Sequence, residues 1–165
     1  MIRYYLGLGS NLGDRERFLN EAASKVAANP STISYRLSPL YESAPFDGSG
    51  QPDYLNAVLE LLSDLDPWEL LDFCRRLEAE AGRQRTPGLQ WEPRTLDIDI
   101  LFAGTEVVDT ADLTIPHPGV SQRPFVLVPL ADLNASLVHP VTGERIGLLA
   151  QSMKSQLMPY QPIYT

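Results

Sequence analysis

The sequence of 165 residues contains a single cysteine, Cys74, and no C-x-x-C pair. A disulfide within the chain is therefore excluded, and cysteine-poor chains are typical of the reducing cytoplasm. No apolar run of the chain reaches the roughly 18 residues that a membrane-spanning helix needs. Residues 1–8 run directly into a Gly-Ser-Asn turn and do not resemble a signal peptide. These absences predict a cytoplasmic protein without a membrane segment.

Signatures of several large enzyme classes are absent as well. The chain has only two histidines, His117 and His139, which argues against a histidine-rich zinc site. It contains neither the G-x-x-x-x-G-K-[ST] loop of P-loop enzymes nor the G-x-S-x-G turn of serine hydrolases. Gly7, Gly9 and Gly13 only approach the G-x-G-x-x-G pattern of dinucleotide-binding proteins, because the third glycine comes one position late.

Composition and charge describe an ordinary acidic globular protein. Apolar residues make up 44% of the chain and charged residues 21%, so disorder over the whole chain is excluded. The length fits one domain, and we expect a single domain over residues 1–165. The formal net charge of −8 repels polyphosphate, which disfavours broad nucleic-acid binding.

Hydrophobic periodicity and capping residues predict the element order β-α-β-β-α-β. The predicted strands are residues 2–8, 32–41, 54–62 and 95–102. The predicted helices begin after the N-cap residues Asp14 and Asp66, with Pro67 as the first residue of the second helix. This order is typical of the ferredoxin-like α+β fold, an antiparallel sheet of four or more strands with helices on one face.

The C-terminal third carries weaker signals. Residues 125–133 are predicted to be a buried segment, and residues 146–152 a short last helix. Residues 158–165 are rich in proline and tyrosine, and we expect them to form an irregular tail.

The strongest chemical signal lies in the predicted strand at 95–102. Alternate residues of a strand face opposite sides, so Asp97 and Asp99 project side by side. Ile98 and Ile100 then enter the core. Two neighbouring carboxylates repel each other unless a cation lies between them, and paired oxygen ligands are what Mg²⁺ accepts together with substrate phosphates. Because aspartate is depleted in strands, we favour a metal site over a merely solvated face.

Cationic residues flank this carboxylate pair on both sides. They are Arg83, Arg85, Arg94, His117 and Arg123. In an acidic chain such a group indicates a phosphate-binding pocket. Any one of these arginines taken alone is better explained by a surface ion pair, worth about 0–1 kcal/mol.

Aromatic side chains in or beside predicted loops are candidates for stacking on a planar heterocycle. They are Phe46, Tyr54, Trp91 and Phe125. Taken singly, each is more often a core residue. Asn56 offers a donor and an acceptor to an amide-like ring edge, although a buried asparagine also simply ties loops together.

Five short motifs follow one another along residues 1–133. The most specific is W-E-P-R-T-L-D-I-D-I-L at residues 91–101. The others are G-S-N-L-G at 9–13, Q-P-D-Y-L-N at 51–56, E-A-E-A-G-R-Q-R at 78–85 and P-H-P-G-V-S-Q-R-P-F at 116–125. In this order they resemble the 6-hydroxymethyl-7,8-dihydropterin pyrophosphokinase family of folate biosynthesis.

The resemblance implies transfer of the β,γ-pyrophosphoryl unit of ATP to the hydroxymethyl group of the pterin, with release of AMP. It implies two Mg²⁺ ions, bound with ATP and held by Asp97 and Asp99 between the phosphates and the attacking hydroxyl. Arg83 and Arg94 complete the implied catalytic set by neutralising charge on the phosphates. ATP and the pterin are the implied small-molecule partners.

The resemblance also implies two sets of binding residues. The nucleotide set is Glu78, Arg83, Arg85, Trp91, Arg94, Ile100, His117 and Arg123. The pterin set is Ser43, Ala44, Phe46, Gln51, Tyr54, Asn56, Trp91, Asp97 and Phe125. In the family the pterin ring lies between two aromatic residues, which correspond here to Tyr54 and Phe125.

The chain departs from the family pattern in the loop 85–93, which is longer than usual. Gln90 and Glu92 stand beside the tryptophan where a basic residue and a glycine are usual, and Ala44 stands where a proline is common. Because this loop closes over the nucleotide in the family, the departures bear on nucleotide affinity and turnover. They leave the carboxylate pair unaffected.

A ferredoxin-like module that binds nucleotide or pterin without chemistry is the second interpretation, and the altered loop supports it. The joint presence of carboxylates, arginines and His117 favours the enzyme, because a binding module does not need the complete set. A protein-interaction domain that merely shares the fold explains none of the motif positions. We expect a monomer that binds small molecules.

Overall fold

A computed structural model describes residues 1–45, 50–82 and 95–160 of the chain. In chain order its elements are β1 (Ile2–Ser10), α1 (Arg15–Ala28), β2 (Thr32–Leu37), β3 (Tyr41–Ser43), β4 (Tyr54–Ser63), α2 (Pro67–Glu80), β5 (Asp97–Ala103), β6 (Val108–Asp109), β7 (Thr114–Ile115), α3 (Pro124–Asn134), α4 (Ile146–Met153) and β8 (Met158–Pro159). Two 3₁₀ turns occupy Val120–Gln122 and Lys154–Gln156. No helix among the described residues is long and apolar enough to cross a membrane.

Capping residues define the start of the first two helices, as predicted. The Asp14 carboxylate accepts a hydrogen bond from the Arg17 N–H at 3.2 Å at the start of α1. At the start of α2, the Asp66 carboxylate accepts from the Trp68 and Glu69 N–H groups, both at 2.9 Å. The Glu69 carboxylate accepts in return from the Asp66 N–H at 2.8 Å. This reciprocal capping box satisfies N–H groups that a helix start otherwise leaves unpaired.

Six strands of the described residues form one antiparallel sheet in the order β5-β1-β4-β3-β8. The sixth strand, β2, pairs with the second half of β4, beyond the part that pairs with β3. Strands β6 and β7 form a separate hairpin. The predicted ferredoxin-like α+β architecture is confirmed, with β1 and β4 at the centre of the sheet.

The predicted strand 32–41 is interrupted between β2 and β3. At the interruption the Ser38 N–H still donates to the Val58 carbonyl at 2.9 Å, but the Val58 N–H donates to the Ser38 hydroxyl at 2.8 Å rather than to a main-chain carbonyl. Pro39 follows and has no N–H to continue the ladder. The break leaves β3 as a short strand of three residues beside the cavity described below.

Helices pack on both faces of the sheet, so the expectation of helices on one face is wrong. Helices α1 and α2 cover the face that carries Leu6 and Leu59, whereas α3 and α4 cover the face that carries Tyr5 and Val58. Strand β4 is consequently buried on both sides over most of its length. Its nearly continuous apolar sequence is typical of a strand covered on both faces.

Residues 158–160 extend the sheet, which corrects the expectation of an irregular segment from residue 158. Strand β8 pairs with β3, so that Met158 lies opposite Glu42 and Pro159 opposite Tyr41. The Tyr160 N–H then donates to the Leu40 carbonyl at 2.9 Å. Residues 161–165 lie outside the described part of the chain.

Candidate active site

A cavity of about 230 Å³ opens at the centre of the sheet, on the face that α3 covers. Its floor is formed by Gly7 and Gly9 of β1. On one side these glycines lie opposite Asp99 and Asp97 of β5, and on the other side Gly9 lies opposite Asn56 of β4. Because Gly9 has no side chain, the floor stays open beside Asp97, whereas the Leu101 side chain packs against the backbone at Gly7.

Ten of the residues predicted from the sequence line this cavity. They are Ser43, Ala44, Gln51, Tyr54, Asn56, Asp97, Asp99, His117, Arg123 and Phe125. They come from β3, β4, β5, α3 and the segments that join them. The tertiary structure therefore brings together the candidate metal ligands, two of the cationic residues and the two aromatic residues assigned to the pterin.

The carboxylate pair is arranged as the alternation in the sequence predicts. Asp97 and Asp99 are half-buried and both face the cavity, whereas Ile98 and Ile100 are buried in the core on the opposite face. The Ile100 side chain therefore faces away from the cavity, so the nucleotide contact that the resemblance implies for Ile100 falls to its main chain.

Glu78 does not line the cavity. It is a buried residue of α2, and its carboxylate accepts a hydrogen bond from the Ile98 N–H at 3.1 Å. Ile98 lies between the two aspartates in β5, so Glu78 ties α2 to the strand that carries them. Its position indicates support of the carboxylate pair from behind the sheet.

His117 and Arg123 form the cationic side of the cavity. The Gly119 N–H donates to His117 Nδ1 at 3.2 Å, so the neutral ring carries its proton on Nε2, which lies 3.8 Å from Asp99 Oδ2. Burial, with the positive charge of Arg123, lowers the pKa of His117, although Asp97 acts in the opposite direction. The lowered pKa favours the neutral ring of His117 with Nε2 as its N–H donor, and Arg123 supplies the positive charge on this side of the cavity.

Asn56 is held with its acceptor towards the cavity. Its Nδ2 donates to the Ser43 hydroxyl at 2.8 Å and to the Tyr41 carbonyl at 3.3 Å. Its Oδ1 lies 3.7 Å from the position that a Cβ atom on Gly9 would occupy. The sequence suggested both a donor and an acceptor at this position; in the structure the donor is engaged by the protein and the amide oxygen lies beside the open space at Gly9.

The donor set suits Mg²⁺ bound together with a polyphosphate. Within the described residues no group of three or more His, Cys, Asp or Glu side chains could hold a metal by itself. The cavity instead offers the two hard oxygen donors of Asp97 and Asp99. Mg²⁺ is commonly held by one or two carboxylates and completes its octahedron with water and phosphate oxygens, so this pair fits it.

Other predicted site residues lie outside the described part of the chain. They are Phe46, Arg83, Arg85, Trp91 and Arg94, together with the departures at Gln90 and Glu92. Conversely, some lining residues were not predicted from the sequence; they are Gly7, Gly9, Leu8, Ala57 and Val126. A signal for the first two was present, because glycine inside a strand marks a place where another group approaches the backbone closely.

Comparison with known proteins supports the family resemblance. Residues 5–135 match the family model described as 7,8-dihydro-6-hydroxymethylpterin-pyrophosphokinase (HPPK). The 2-amino-4-hydroxy-6-hydroxymethyldihydropteridine pyrophosphokinase of Haemophilus influenzae is 41% identical over 162 residues, which cover 98% of this chain and 100% of that protein. The protein of the same name from Bacillus subtilis is 39% identical over 129 residues, which cover 78% of this chain and 76% of the relative.

Longer relatives contain the same unit as one part. The folic acid synthesis protein fol1 of Pneumocystis carinii is 41% identical over 143 residues, and this chain spans 19% of its length. The crystal structure of wild-type Plasmodium falciparum HPPK-DHPS shares the fold with a TM-score of 0.69 at 14% identity, over 94% of this chain and 45% of that one. With a family model over residues 5–135 and a relative matched along its whole length, the chain belongs to the 7,8-dihydro-6-hydroxymethylpterin-pyrophosphokinase family.

Proposed function

We propose that this protein transfers pyrophosphate from ATP to 6-hydroxymethyl-7,8-dihydropterin, giving AMP and the pterin diphosphate, a step of tetrahydrofolate biosynthesis. The observation that carries the proposal is the placement of the Asp97–Asp99 pair in one cavity with Tyr54, Phe125 and the Asn56 amide oxygen. Such a cavity combines a charged end for phosphates with an apolar, hydrogen-bonding end for a planar ring. Family membership supports the catalytic interpretation over a non-catalytic binding module.

The pterin occupies the end of the cavity next to β3 and β4. Tyr54 and Phe125 provide aromatic faces for the ring, and stacking of this kind is worth about 1–3 kcal/mol per ring. Asn56 Oδ1 accepts from a ring N–H, because its Nδ2 is already engaged by Ser43 and Tyr41. The main chain of residues 43–45, with Gln51, completes this end.

The polyphosphate of ATP lies at the end formed by β5 and the segment before α3. We assign two Mg²⁺ ions to Asp97 and Asp99; when bound, they neutralise phosphate charge and make the pterin hydroxyl more acidic. Arg123 donates charge-assisted hydrogen bonds to phosphate oxygens, and His117 donates from Nε2. From the resemblance alone, Arg83 and Arg94 stabilise the transferring group. The resemblance alone also assigns Arg85, Trp91 and the main chain of Ile100 to nucleotide binding, whereas Glu78 supports β5 from behind the sheet.

The reaction is an in-line displacement at the β-phosphorus. The hydroxymethyl oxygen forms a bond to the β-phosphorus, the bond from that phosphorus to the oxygen bridging to the α-phosphate breaks, and AMP leaves. The hydroxyl proton passes to solvent. The protein contributes position and electrostatic stabilisation: Arg123 faces the oxygens on which charge develops, and cations held by Asp97 and Asp99 would share that charge.

Product analysis tests the proposal. The protein is incubated with ATP, Mg²⁺ and 6-hydroxymethyl-7,8-dihydropterin, and the nucleotides and pterins are separated by chromatography. We expect AMP to appear in step with a pyrophosphorylated pterin. ADP in place of AMP would indicate transfer of a single phosphoryl group. Tight ATP binding without either product would favour the non-catalytic module and direct attention to Gln90 and Glu92.

The remaining parts of the proposal concern the protein as a whole. We propose a monomer with one catalytic domain over residues 1–165, located in the cytoplasm. Sedimentation velocity at several protein concentrations tests the first of these statements. A concentration-dependent sedimentation coefficient would contradict it.

A further inference from the structure

The Arg15 guanidinium, which lies outside the cavity, contacts both the strand before and the residue after the connection between β3 and β4. Arg15, at the start of α1, donates from Nη1 to the Asp53 carbonyl at 3.0 Å. The same nitrogen lies 3.7 Å from the Glu42 carboxylate. Glu42 belongs to β3, just before the loop 44–53, and Asp53 is the last residue before β4. Arg15 is not among the residues that line the cavity.

The loop that Arg15 joins carries much of the pterin side. Ala44, Pro45 and Gln51 of the loop line the cavity, and Ser43 and Tyr54 flank it as an antiparallel pair. The ladder at its base is short, because β3 pairs with β4 through three residues. Since such a short pairing is marginal by itself, contacts from outside the ladder decide where the loop ends lie.

Tyr160 of the C-terminal segment packs beside the Arg15 guanidinium. The Arg15 guanidinium lies 6.0 Å from the centre of the Tyr160 ring. The Tyr160 hydroxyl donates to the Glu16 carboxylate at 3.2 Å, and β8 immediately before it pairs with β3. The C-terminal segment therefore borders the same strand that Arg15 contacts through Glu42, but from its outer edge.

We propose that Arg15, seated by Tyr160, is a positioning residue for the pterin side of the active site. It acts through Glu42 and the Asp53 main chain, which adjoin the lining residues Ser43 and Tyr54, and touches no substrate. This inference rests on the proposed function, because the proposed function assigns the lining residues between β3 and β4 to pterin binding. It predicts an effect on the pterin alone, since the phosphate side is built from β5 and the segment before α3.

The variant Arg15→Gln tests this role, with Arg17→Gln as the matched control. Arg17 lies on the same helix and pairs at 3.6 Å with Glu21 of α1. For Arg15→Gln we expect the KM for the pterin to rise about three- to tenfold, because one charge-assisted hydrogen bond and one ion pair are lost. The KM for ATP, kcat at saturating pterin and the thermal midpoint should match those of Arg17→Gln.

Two further measurements separate positioning from general stability. Tyr160→Ala should raise the pterin KM in the same direction, and the double variant with Arg15→Gln should be no worse than the stronger single variant, because both act through one contact. Equal rises of both KM values, or a pterin KM equal to that of Arg17→Gln, would overturn the inference.

Direct binding distinguishes a failure of this inference from a failure of the proposed function. Calorimetric titration with the pterin, in the presence of Mg²⁺ and a non-hydrolysable ATP analogue, should show weaker binding for Arg15→Gln than for Arg17→Gln. A wild-type protein that binds the pterin but forms no AMP would overturn the proposed reaction and leave this comparison valid. A wild-type protein that binds no pterin would overturn both.

Discussion

Gly9 lies opposite Asp97 in the antiparallel pairing of β1 with β5. The side chains of such a pair project from the same face of the sheet, so the missing side chain at Gly9 leaves free space next to the Asp97 carboxylate. A Cβ atom at Gly9 would lie 3.5 Å from Tyr54 Cδ1 and 3.7 Å from Asn56 Oδ1, which is ordinary van der Waals contact. Packing therefore does not require glycine here, and the space that it leaves belongs to the ligand.

Replacement Gly9→Ala should consequently impair binding without harming the fold. The methyl group occupies the cavity floor, so we expect the KM for the pterin to rise about tenfold. The urea midpoint of unfolding should stay unchanged or increase, because alanine favours regular structure by about 0.5–1 kcal/mol over glycine. A lower unfolding midpoint with an unchanged KM would contradict this interpretation.

Gly147→Ala is the matched comparison for that variant. A Cβ atom at Gly147 would lie 2.5 Å from the Ala135 carbonyl oxygen, so the backbone of α4 must shift. We expect a loss of about 1–3 kcal/mol in the free energy of unfolding and no change in either KM.

The carboxylate pair is expected to serve catalysis and not stability. Asp97→Ala and Asp99→Ala should each lower kcat by about a thousandfold or more, because the proposed Mg²⁺ site would lose one of its two carboxylates. Thermal unfolding should be unaffected or slightly improved, since two neighbouring carboxylates repel each other. Asp109→Ala, at an exposed position of β6, is the control and should retain full activity. AMP formation at saturating Mg²⁺ is the measurement, and near-normal rates in both variants would exclude this metal site.

Glu78 should contribute to stability as well as to activity. In Glu78→Ala the Ile98 N–H loses the carboxylate that accepts its hydrogen bond, which should lower the free energy of unfolding by about 1–3 kcal/mol. The loss should also lower kcat, because Ile98 lies between the two aspartates that we propose as metal ligands. Glu80→Ala is the control: its side chain is 58% exposed and pairs with Lys25 at 3.0 Å. That variant should cost less than about 1 kcal/mol. Urea unfolding of the two variants provides the comparison.

Glu60 should make stability depend on pH in the acid range. The carboxylate accepts from Arg36 through two bonds of 3.0 Å each, and from the Tyr5 hydroxyl at 2.8 Å. Burial by itself raises the pKa of Glu60, but the hydrogen bonds from Arg36 and Tyr5, with the positive charges of Arg36 and Arg3, outweigh it and lower the pKa. A carboxyl whose pKa is lowered in the folded state stabilises the protein above its unfolded-state pKa. That stabilisation is lost as the pH falls through the folded-state pKa.

Urea unfolding at a series of pH values from about 7 to about 3 tests this expectation. The wild-type protein should lose more of its free energy of unfolding over this range than Glu60→Gln, whose amide does not titrate there. Identical pH slopes for the two proteins would show that Glu60 does not contribute to the acid sensitivity.

Local features of the chain were predictable because they depend on neighbouring residues. The alternation of aspartate and isoleucine in β5 follows from the two-residue period of a strand, and the starts of α1 and α2 follow from Asp14 and Asp66. The faces that the helices cover were predicted incorrectly, because a periodic pattern shows that a segment is buried but not against what. The C-terminal strand was missed for a related reason, since β8 is stabilised by pairing with distant β3 and not by its own sequence.

The sequence by itself determined the family, the ferredoxin-like order of elements and the facing of Asp97 and Asp99, because motifs, hydrophobic periods and caps are properties of short segments. Only the tertiary structure decided that glycines of β1 form the cavity floor, that Glu78 supports β5 from behind and that Arg15 joins the ends of a loop. Each of these contacts joins residues far apart in the chain. These contacts depend on how the sheet and the helices pack, and a short segment of sequence carries no information about that packing.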